Sequence, residues 1–131
     1  YGECIATETA SFRHWYCRAY DKYAWDTASM PFDQHLLVSA IAPRAILVEG
    51  FDHKWFDTHG EFLSLKAASP VWEFLGYPGL PDVEWPADYD KCAIGPRVGY
   101  VRRDGGHGIA AIDWQWMLDF AENVFQCVKS Q

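Results

Sequence analysis

The chain has little positive charge and no apolar run long enough to cross a bilayer. Its 131 residues include 11 lysines and arginines against 18 aspartates and glutamates, for a formal net charge of −7 at pH 7. This balance excludes the basic surface that nucleic-acid binding requires. No stretch approaches the roughly 18 apolar residues of a membrane-spanning helix, and a signal-peptide pattern is absent. We expect a soluble, processed or truncated product that opens on Tyr1 and binds neither nucleic acid nor membrane.

Cysteines are few and widely spaced. None of them belongs to a C-x-x-C pair, which argues against a zinc site and against a thioredoxin-type redox motif. Their spacing also differs from the dense disulfide framework of small secreted domains. They are either free or paired in up to two disulfides, among Cys4, Cys17, Cys92 and Cys127.

The sequence also lacks a nucleophile elbow, the G-x-S-x-G turn that exposes a catalytic serine between a strand and a helix. If the chain takes part in serine-type catalysis, the nucleophile must come from sequence outside it. The serines that fail this pattern are Ser11, Ser29, Ser39, Ser64, Ser69 and Ser130.

Hydrophobic and aromatic residues are abundant. Half of the residues are hydrophobic and 17% are aromatic, with seven tryptophans. This composition suits one domain of ordinary size with a buried core. Most of the rings belong in that core, but flat aromatic side chains also stack on sugar rings. We therefore expect some of them to line a ligand groove.

Helical spacing of apolar residues recurs in four stretches. The first is an aromatic stripe. The second begins after Asp33, which can cap a helix through "QHLLVSAIA", and it ends at Pro43. The third carries Pro70 as an expected kink and ends at Gly76. The predicted helices cover residues 11–25, 34–42, about 60–75 and about 110–127.

Two short runs predict strands. Residues 45–48 are continuously apolar, as in a parallel strand buried on both faces, and "RVGYVRR" is the second candidate. Between the two runs, the proline-rich stretch 76–96 predicts a surface loop without helix or strand. The order of elements indicates the end of an α/β fold with a parallel sheet. Because two strands do not form a stable sheet of this kind, the chain is expected to be part of a larger domain.

The loops that follow the two strands carry the candidate chemistry. Glu49, Asp52 and Asp57 belong to the first loop and His107, among glycines, to the second. An acid followed by a histidine is the second half of a triad in the order nucleophile, acid, histidine, where the carboxylate orients the imidazole. The alternatives are a turn histidine at His107 and a cap or turn former at Asp52, with Asp57 competing for the acid role.

Four stretches together resemble a known family: "SFRHWYCRAY", "MPFDQHLLVSAIAPRAILVEG", "DHKWFDTHGEFLSLKAASPVWEFLG" and "DGGHGIAAIDWQWMLDF". They are similar, in order and spacing, to the C-terminal third of the glucuronoyl esterases, in the bacterial-type branch of carbohydrate esterase family fifteen. The resemblance implies that residues 1–131 are the C-terminal part of one α/β-hydrolase catalytic domain. That fold is a three-layer α/β/α sandwich with a mostly parallel sheet, incomplete without upstream sequence.

The resemblance assigns roles to individual residues. His107 matches the triad histidine, Trp55 matches a tryptophan that lines the sugar pocket, and Glu3 matches an acid that accepts hydrogen bonds from sugar hydroxyls. Asp52 matches the triad acid with a departure, because two residues rather than one separate it from Trp55. In the fungal pattern the acid lies upstream, soon after the nucleophile. Gly108, where fungal members carry a cysteine, favours the bacterial-type branch.

The other histidines fall in segments that pack or cap, and we expect no catalytic work from them. His35 in "FDQH" is expected to brace the fold beneath the site. The histidines in this group are His14, His35, His53 and His59.

The resemblance implies a serine esterase, a 4-O-methyl-glucuronoyl methylesterase. Such an enzyme cleaves the ester between 4-O-methyl-glucuronic acid of glucuronoxylan and lignin alcohols, without metal or organic cofactor. The expected partners are this lignin–carbohydrate substrate and the N-terminal part of the same domain, in a secreted or periplasmic protein. Two alternatives stay open: a non-catalytic carbohydrate-binding or partner subunit, and a hydrolase acting on a different ester.

Overall fold

A computed structural model of the protein describes residues 2, 4–51, 55–86 and 91–129. Helices and strands alternate along most of this length. Three single-turn or two-turn 3₁₀ segments, Arg13–Trp15, Arg18–Lys22 and Thr27–Ser29, connect the first two helices. The elements are α1 (Ile5–Ser11), α2 (Gln34–Ser39), β1 (Ile46–Phe51), α3 (Thr58–Phe74), β2 (Lys91–Ile94), β3 (Val98–Arg103) and α4 (Ala111–Lys129).

The aromatic stripe over residues 11–25 does not form the predicted helix, and this expectation was wrong. The chain there turns in short 3₁₀ segments, and its rings contact one another instead of one helix face. Phe12 stacks on Trp15 with 4.3 Å between ring centroids. Tyr16 lies 5.3 Å from Tyr20. Rings three or four residues apart meet in these turns as they would on an α-helix. The spacing alone therefore did not distinguish an α-helix from a series of 3₁₀ turns.

The predicted cap of the second helix is confirmed, but the helix is shorter than expected. The Asp33 carboxylate accepts a hydrogen bond of 2.7 Å from the backbone N–H of Gln34. The helix ends at Ser39 rather than continuing to residue 42. Tight turns follow, with Ile41 N–H donating to Val38 C=O and Arg44 N–H to Ile41 C=O.

The sheet has the order β1-β3-β2. Strands β1 and β3 pair in parallel, from Ile46 opposite Val98 to Phe51 opposite Arg103, as the sequence predicted. Strand β2 pairs antiparallel with β3. It lies inside the proline-rich stretch that was expected to contain no strand, so that expectation was wrong. Its four residues are too short to show a hydrophobic pattern, and pairing with β3 is what orders them.

Helix α3 has the buried face that the sequence predicted. Phe62, Leu65, Ala68 and Trp72 are all buried against the sheet, and the helix continues through exposed Pro70. Gly76, with φ +85°, lies just beyond the helix end as expected. The remaining buried members of this core come from α2, β2, β3 and the loop before β2: Val38, Leu80, Ala93, Val98 and Tyr100.

Helices cover both faces of the sheet. α2 and α3 lie on one face, while α4 lies on the other, where its Phe120 and the Leu47 side chain of β1 both lie close to Gly99. The protein is therefore a mixed α/β arrangement around a small three-stranded sheet, as predicted in class. The sheet is parallel only in its β1–β3 pair, so the expectation of a mostly parallel sheet does not describe these strands. Within the described residues, no helix is long and apolar enough to span a bilayer.

Candidate functional site

A large open cavity lies beside the edge of the sheet where β1 and β3 end. Its volume is about 1600 Å³, and it extends from that edge to the 3₁₀ segments and α2. Aromatic rings from three parts of the chain line it, which confirms that some of the aromatic residues face a groove. Those rings are Phe12, Trp15, Tyr16, Tyr20, Phe32, Trp55 and Phe56.

His107 lies on the loop after β3 and lines this cavity. Its ring is exposed and stacks on Phe56, with 5.5 Å between ring centroids and 29° between planes. Phe56 in turn contacts Phe51, the last residue of β1, edge to face at 6.3 Å. The loops after β1 and β3 thus meet through an aromatic contact, as expected for two loops that leave the same edge of a sheet.

Trp55 lines the same cavity from the loop after β1. Its side chain is 59% exposed. The backbone of Gly2 packs tightly on this loop, because a Cβ added there would meet Trp55 C=O at 2.7 Å and Asp57 N at 2.6 Å. The two remaining predicted site residues, Glu3 and Asp52, lie outside the described residues.

The other two acids expected in the first loop occupy different positions: Asp57 lies in that loop, whereas Glu49 lies within β1, so its expected place in the loop was wrong. The Asp57 carboxylate accepts a hydrogen bond of 2.9 Å from the backbone N–H of Gly60 and so caps α3, while its side chain also lines the cavity. Glu49 interacts electrostatically with Asp113 of α4 and Arg103 of β3, and burial, then Asp113, raises the pKa of its carboxyl. Glu49 therefore belongs to the α4 side of the sheet.

Glu61, one turn into α3, was not identified from the sequence. Glu61 lines the cavity, and its Oε2 is buried without a hydrogen-bond partner among the described residues. Burial, reinforced by the nearby Asp57 charge, raises the pKa of Glu61 to about 7. A sequence signal did exist, because two acids four residues apart at a helix start lie on one face and repel each other.

Tyr100 of β3 lies directly behind Glu61. Its phenol donates a hydrogen bond of 2.7 Å to the Thr58 C=O, and burial, with Glu61's charge adding, raises its pKa to about 12. Gly50 separates the two groups, because a Cβ at that position would meet the phenol oxygen at 2.5 Å and Glu61 Oε2 at 2.8 Å. A larger residue at position 50 would have to displace one of these two side chains.

The serines in the described residues are not placed as nucleophiles. The hydroxyls of Ser29, Ser39 and Ser69 each donate to a backbone carbonyl three or four residues earlier. Ser11 and Ser64 line the cavity, but they lie on α1 and within α3 rather than at a strand-to-helix elbow. This agrees with the absence of the elbow motif in the sequence.

The remaining histidines and cysteines lie apart from one another. His35 lines the cavity and lies 3.6 Å from Asp33, His59 packs on the Trp85 ring, and His14 is exposed beside Trp15. His53 lies outside the described residues. Cys4 and Cys17 are free thiols, and Cys92 is an exposed residue of β2. In the part of the chain that the structure describes, no three metal-ligating side chains come together.

Comparison with known proteins gives consistent matches. The family model for "Glucuronyl esterase, fungi" matches residues 3–76. A carbohydrate esterase from an unknown prokaryotic organism is 35% identical over 94% of this chain and 28% of its own length. A 4-O-methyl-glucuronoyl methylesterase from Schizophyllum commune is 30% identical over 86% of this chain and 34% of its own length.

Solved structures match equally well. A promiscuous carbohydrate esterase family 15 (CE15) esterase from a marine bacterial metagenome superimposes with a TM-score of 0.87 at 36% identity, over 93% of this chain and 30% of that one. A glucuronoyl esterase from Solibacter usitatus gives 0.85 at 36% identity, over 95% of this chain and 31% of that one. The chain thus spans about a third or less of the length of these relatives.

Proposed function

The chain belongs to the glucuronoyl esterases of carbohydrate esterase family 15, and from this membership we propose that it provides the histidine side of a serine esterase active site. The substrate class is the ester between 4-O-methyl-glucuronic acid of glucuronoxylan and a lignin alcohol. One relative is named 4-O-methyl-glucuronoyl methylesterase, which points to esters of this uronic acid. The nucleophilic serine and the oxyanion hole come from sequence upstream of residues 1–131, as does the rest of an α/β-hydrolase fold.

In the proposed mechanism His107 acts as general base and then as general acid. It takes the proton of the upstream serine hydroxyl while the serine oxygen attacks the ester carbonyl. The tetrahedral intermediate collapses as His107 gives that proton to the leaving alcohol, which yields an acyl-enzyme. Water, deprotonated by His107, then releases the uronic acid and restores the serine. Asp52, or an acid upstream, orients the imidazole and stabilises the imidazolium.

The observation that carries this proposal is the shared cavity of His107 and Trp55. Both side chains are exposed to the same space, from loops that leave adjacent parallel strands at one edge of the sheet. A base and an aromatic ring in one cavity suit a sugar ester. The indole can bind the sugar, because it offers both a stacking face and an N–H donor, while the base acts on the ester. Trp55 is proposed to bind the uronic-acid ring in this cavity.

Glu3 is proposed to accept hydrogen bonds from the sugar hydroxyls. Support comes from its neighbour Gly2, which packs on the backbone of Trp55 and Asp57. We also propose a secreted or periplasmic location, because polymeric glucuronoxylan does not enter cells. No metal or organic cofactor takes part in these steps.

A second candidate keeps the fold and the base but changes the ester. The structural relative from the marine metagenome is described as promiscuous, and an open cavity rich in aromatic rings suits esters other than glucuronates. The rings would equally suit a non-catalytic carbohydrate-binding role. The three candidates differ in whether activity exists and in whether it depends on the uronate hydroxyls.

The test is hydrolysis of benzyl glucuronate by the full-length protein and by two histidine variants. His107→Ala should lower kcat/KM by about 10³-fold or more, because it removes the base of a triad. His14→Ala is the matched control, since His14 is exposed and lies outside the cavity lining, and it should retain activity. Full activity in His107→Ala would disprove the proposed role.

A third variant separates sugar recognition from catalysis. Trp55→Ala should raise KM for benzyl glucuronate by roughly 10-fold while a simple aryl acetate is hydrolysed as before, since lost stacking weakens sugar binding only. Trp25→Ala is its control, because Trp25 is 87% exposed and does not line the cavity. Equal losses on both esters in Trp55→Ala would favour the candidate that acts on a different ester.

A further inference from the structure

The loop that carries His107 has almost no packing of its own. It runs from Asp104 to Gly108, every residue in it is exposed, and two of its glycines have positive φ, +119° at Gly105 and +152° at Gly108. A Cβ added at Gly106 or Gly108 would meet no other atom within 4 Å. A segment of this kind does not hold a side chain in place without support from outside it.

The Phe56 ring stacks on the His107 side chain, but the backbone of the loop is supported by one buried side chain, Arg103, the last residue of β3. Its Nη1 donates a hydrogen bond of 3.0 Å to the C=O of Asp104, and its Nη2 donates one of 2.7 Å to the C=O of Gly108. One guanidinium thus bridges the backbone before His107 and the backbone directly after it. The fit is close, because a Cβ at Gly105 would meet Nη1 at 2.7 Å.

Arg103 is itself held from the side of α4. Its Nε lies 2.7 Å from the Oδ1 of Asp113, a close ion pair that is not aligned as a hydrogen bond. Asp113 is completely buried, and its Oδ2 accepts a hydrogen bond of 2.6 Å from the backbone N–H of Ala110. The guanidinium also lies over the Phe51 ring at 4.7 Å. The Arg103 side chain therefore connects β1, β3, α4 and the loop 104–108.

The acidic groups around Arg103 favour a guanidinium held in one position. Asp113 and Glu49 both interact with Arg103 in a buried environment, and burial raises the pKa of Glu49. A guanidinium presents a planar set of donors that can serve two carbonyls and a carboxylate together, whereas an ammonium is a point charge. The arrangement uses the geometry of arginine and not only its charge.

We propose that Arg103 is a positioning residue for His107: it fixes the loop 104–108 by bridging the carbonyls of Asp104 and Gly108 while Asp113 holds it in place. The proposal rests on the proposed function for its effect on catalysis, but the bridging of the loop is independent of that function. Arg103 does not touch the reacting atoms. It acts by holding the imidazole where the serine proton must be taken.

The test compares Arg103→Lys, Arg103→Met and the control Arg102→Met in the full-length protein. Arg102 is a buried arginine of the same strand that turns to the other face, where it lies over Trp85 and donates to the Pro86 C=O. Arg103→Lys keeps the charge beside Asp113, so it should fold even if Arg103→Met does not. The measurements are kcat and KM for benzyl glucuronate and hydrogen exchange of the backbone amides in residues 104–110.

Arg103→Lys should lower kcat by about 10- to 100-fold with KM changed less than about 3-fold, because displacing a catalytic group by about 1 Å has effects of this size. Amide exchange in residues 104–110 should become at least about 10-fold faster, as it does when local hydrogen bonds are lost. Arg103→Met should lower kcat and speed amide exchange at least as much as Arg103→Lys does. Arg102→Met should leave kcat and the exchange rates of residues 104–110 within about 3-fold of the parent.

Two results would overturn the proposal. The first is unchanged kcat and unchanged exchange of the loop in Arg103→Lys. The second is an equal loss of kcat in the Arg102 and Arg103 variants, which would indicate a general loss of structure. If His107→Ala retains activity while the loop still exchanges faster in Arg103→Lys, the proposed function fails and the bridging role of Arg103 stands.

Discussion

The two faces of the sheet are built from different interactions. On the face covered by α2 and α3, most of the core is apolar, with Phe62, Leu65 and Trp72 packed against Val98 and Tyr100. The buried Arg102 lies on this face too, over the Trp85 ring. On the face covered by α4, buried charges lie among the apolar groups: Arg103, Asp113 and Glu49 interact there. Apolar packing is non-directional, whereas an arginine bridging two carbonyls fixes the position of each partner.

This difference matters for the candidate site because each face supports one loop. The loop after β1, with Trp55 and Phe56, leads into α3 through the cap made by Asp57. The loop after β3, with His107, is held by Arg103 on the α4 face. Both faces thus contribute to stability, but the placement of the histidine depends on the α4 face. Substitutions on one face at a time separate the two contributions.

The largest effect on stability is expected from the charged face. Asp113→Ala leaves Arg103 buried without its carboxylate partner, and should lower the free energy of unfolding by about 3–5 kcal/mol. The measurement is urea unfolding of the full-length protein followed by circular dichroism. Asp119→Ala is the control, because Asp119 is an exposed residue of the same helix, and it should change stability by less than about 0.5 kcal/mol. Equal values for the two variants would contradict the role of the buried pair.

The apolar face should respond almost as strongly but without loss of catalysis. Leu65 is 0% exposed, and Leu65→Ala should lower the free energy of unfolding by about 2–5 kcal/mol through lost burial and the cavity left behind. At a temperature where the variant is folded, kcat should stay within about 3-fold of the parent. The neighbouring Lys66→Ala, at an exposed position, is the control for stability. A large drop in kcat for Leu65→Ala would show that the two faces are not separable.

The smallest effect concerns Glu61, between the core and the cavity, and depends on pH. Its pKa of about 7 lies above the usual 4.5, so the folded state holds a proton that the unfolded state releases between these values. Its contribution to stability is therefore present below pH 4.5 and is lost as pH rises through about 7. Glu61→Gln should thus gain stability relative to the parent between pH 5 and pH 8, measured as Tm.

Glu73→Gln is the matched control for that experiment, because Glu73 is exposed on the last turn of the same helix. Its difference in Tm from the parent should be the same at pH 5 and pH 8. A difference for Glu61→Gln that is equally independent of pH would contradict the raised pKa.

The sequence was sufficient to predict the apolar face. Helical spacing identified the four buried positions of α3, and a continuous apolar run identified β1. The stretch "RVGYVRR" was the second strand candidate, and the order of elements predicted that it pairs in parallel with β1. Asp33 and Gly76 were found because capping and left-handed glycine positions are local properties. These signals lie within a few residues of the structure that they specify.

The parts that were missed depend on contacts between distant residues. Strand β2 exists because it pairs with β3, and Arg103 is informative only once α4 places Asp113 beside it. Two consecutive arginines at a strand end gave no sign that they turn to opposite faces with different partners. The His107 loop was recognised from its glycines and its place after a strand, but nothing local indicated what holds it.

The most direct measurement of the central claim is labelling of the full-length protein with a fluorophosphonate that reacts with activated serines, followed by peptide mass spectrometry. We predict one modified serine outside residues 1–131, and a labelling rate that falls by about 10³-fold in His107→Ala, because the serine loses its base. His14→Ala should label at the parental rate. Modification of a serine within this chain, or equal labelling of the parent and His107→Ala, would contradict the claim that His107 activates a nucleophile supplied from outside it.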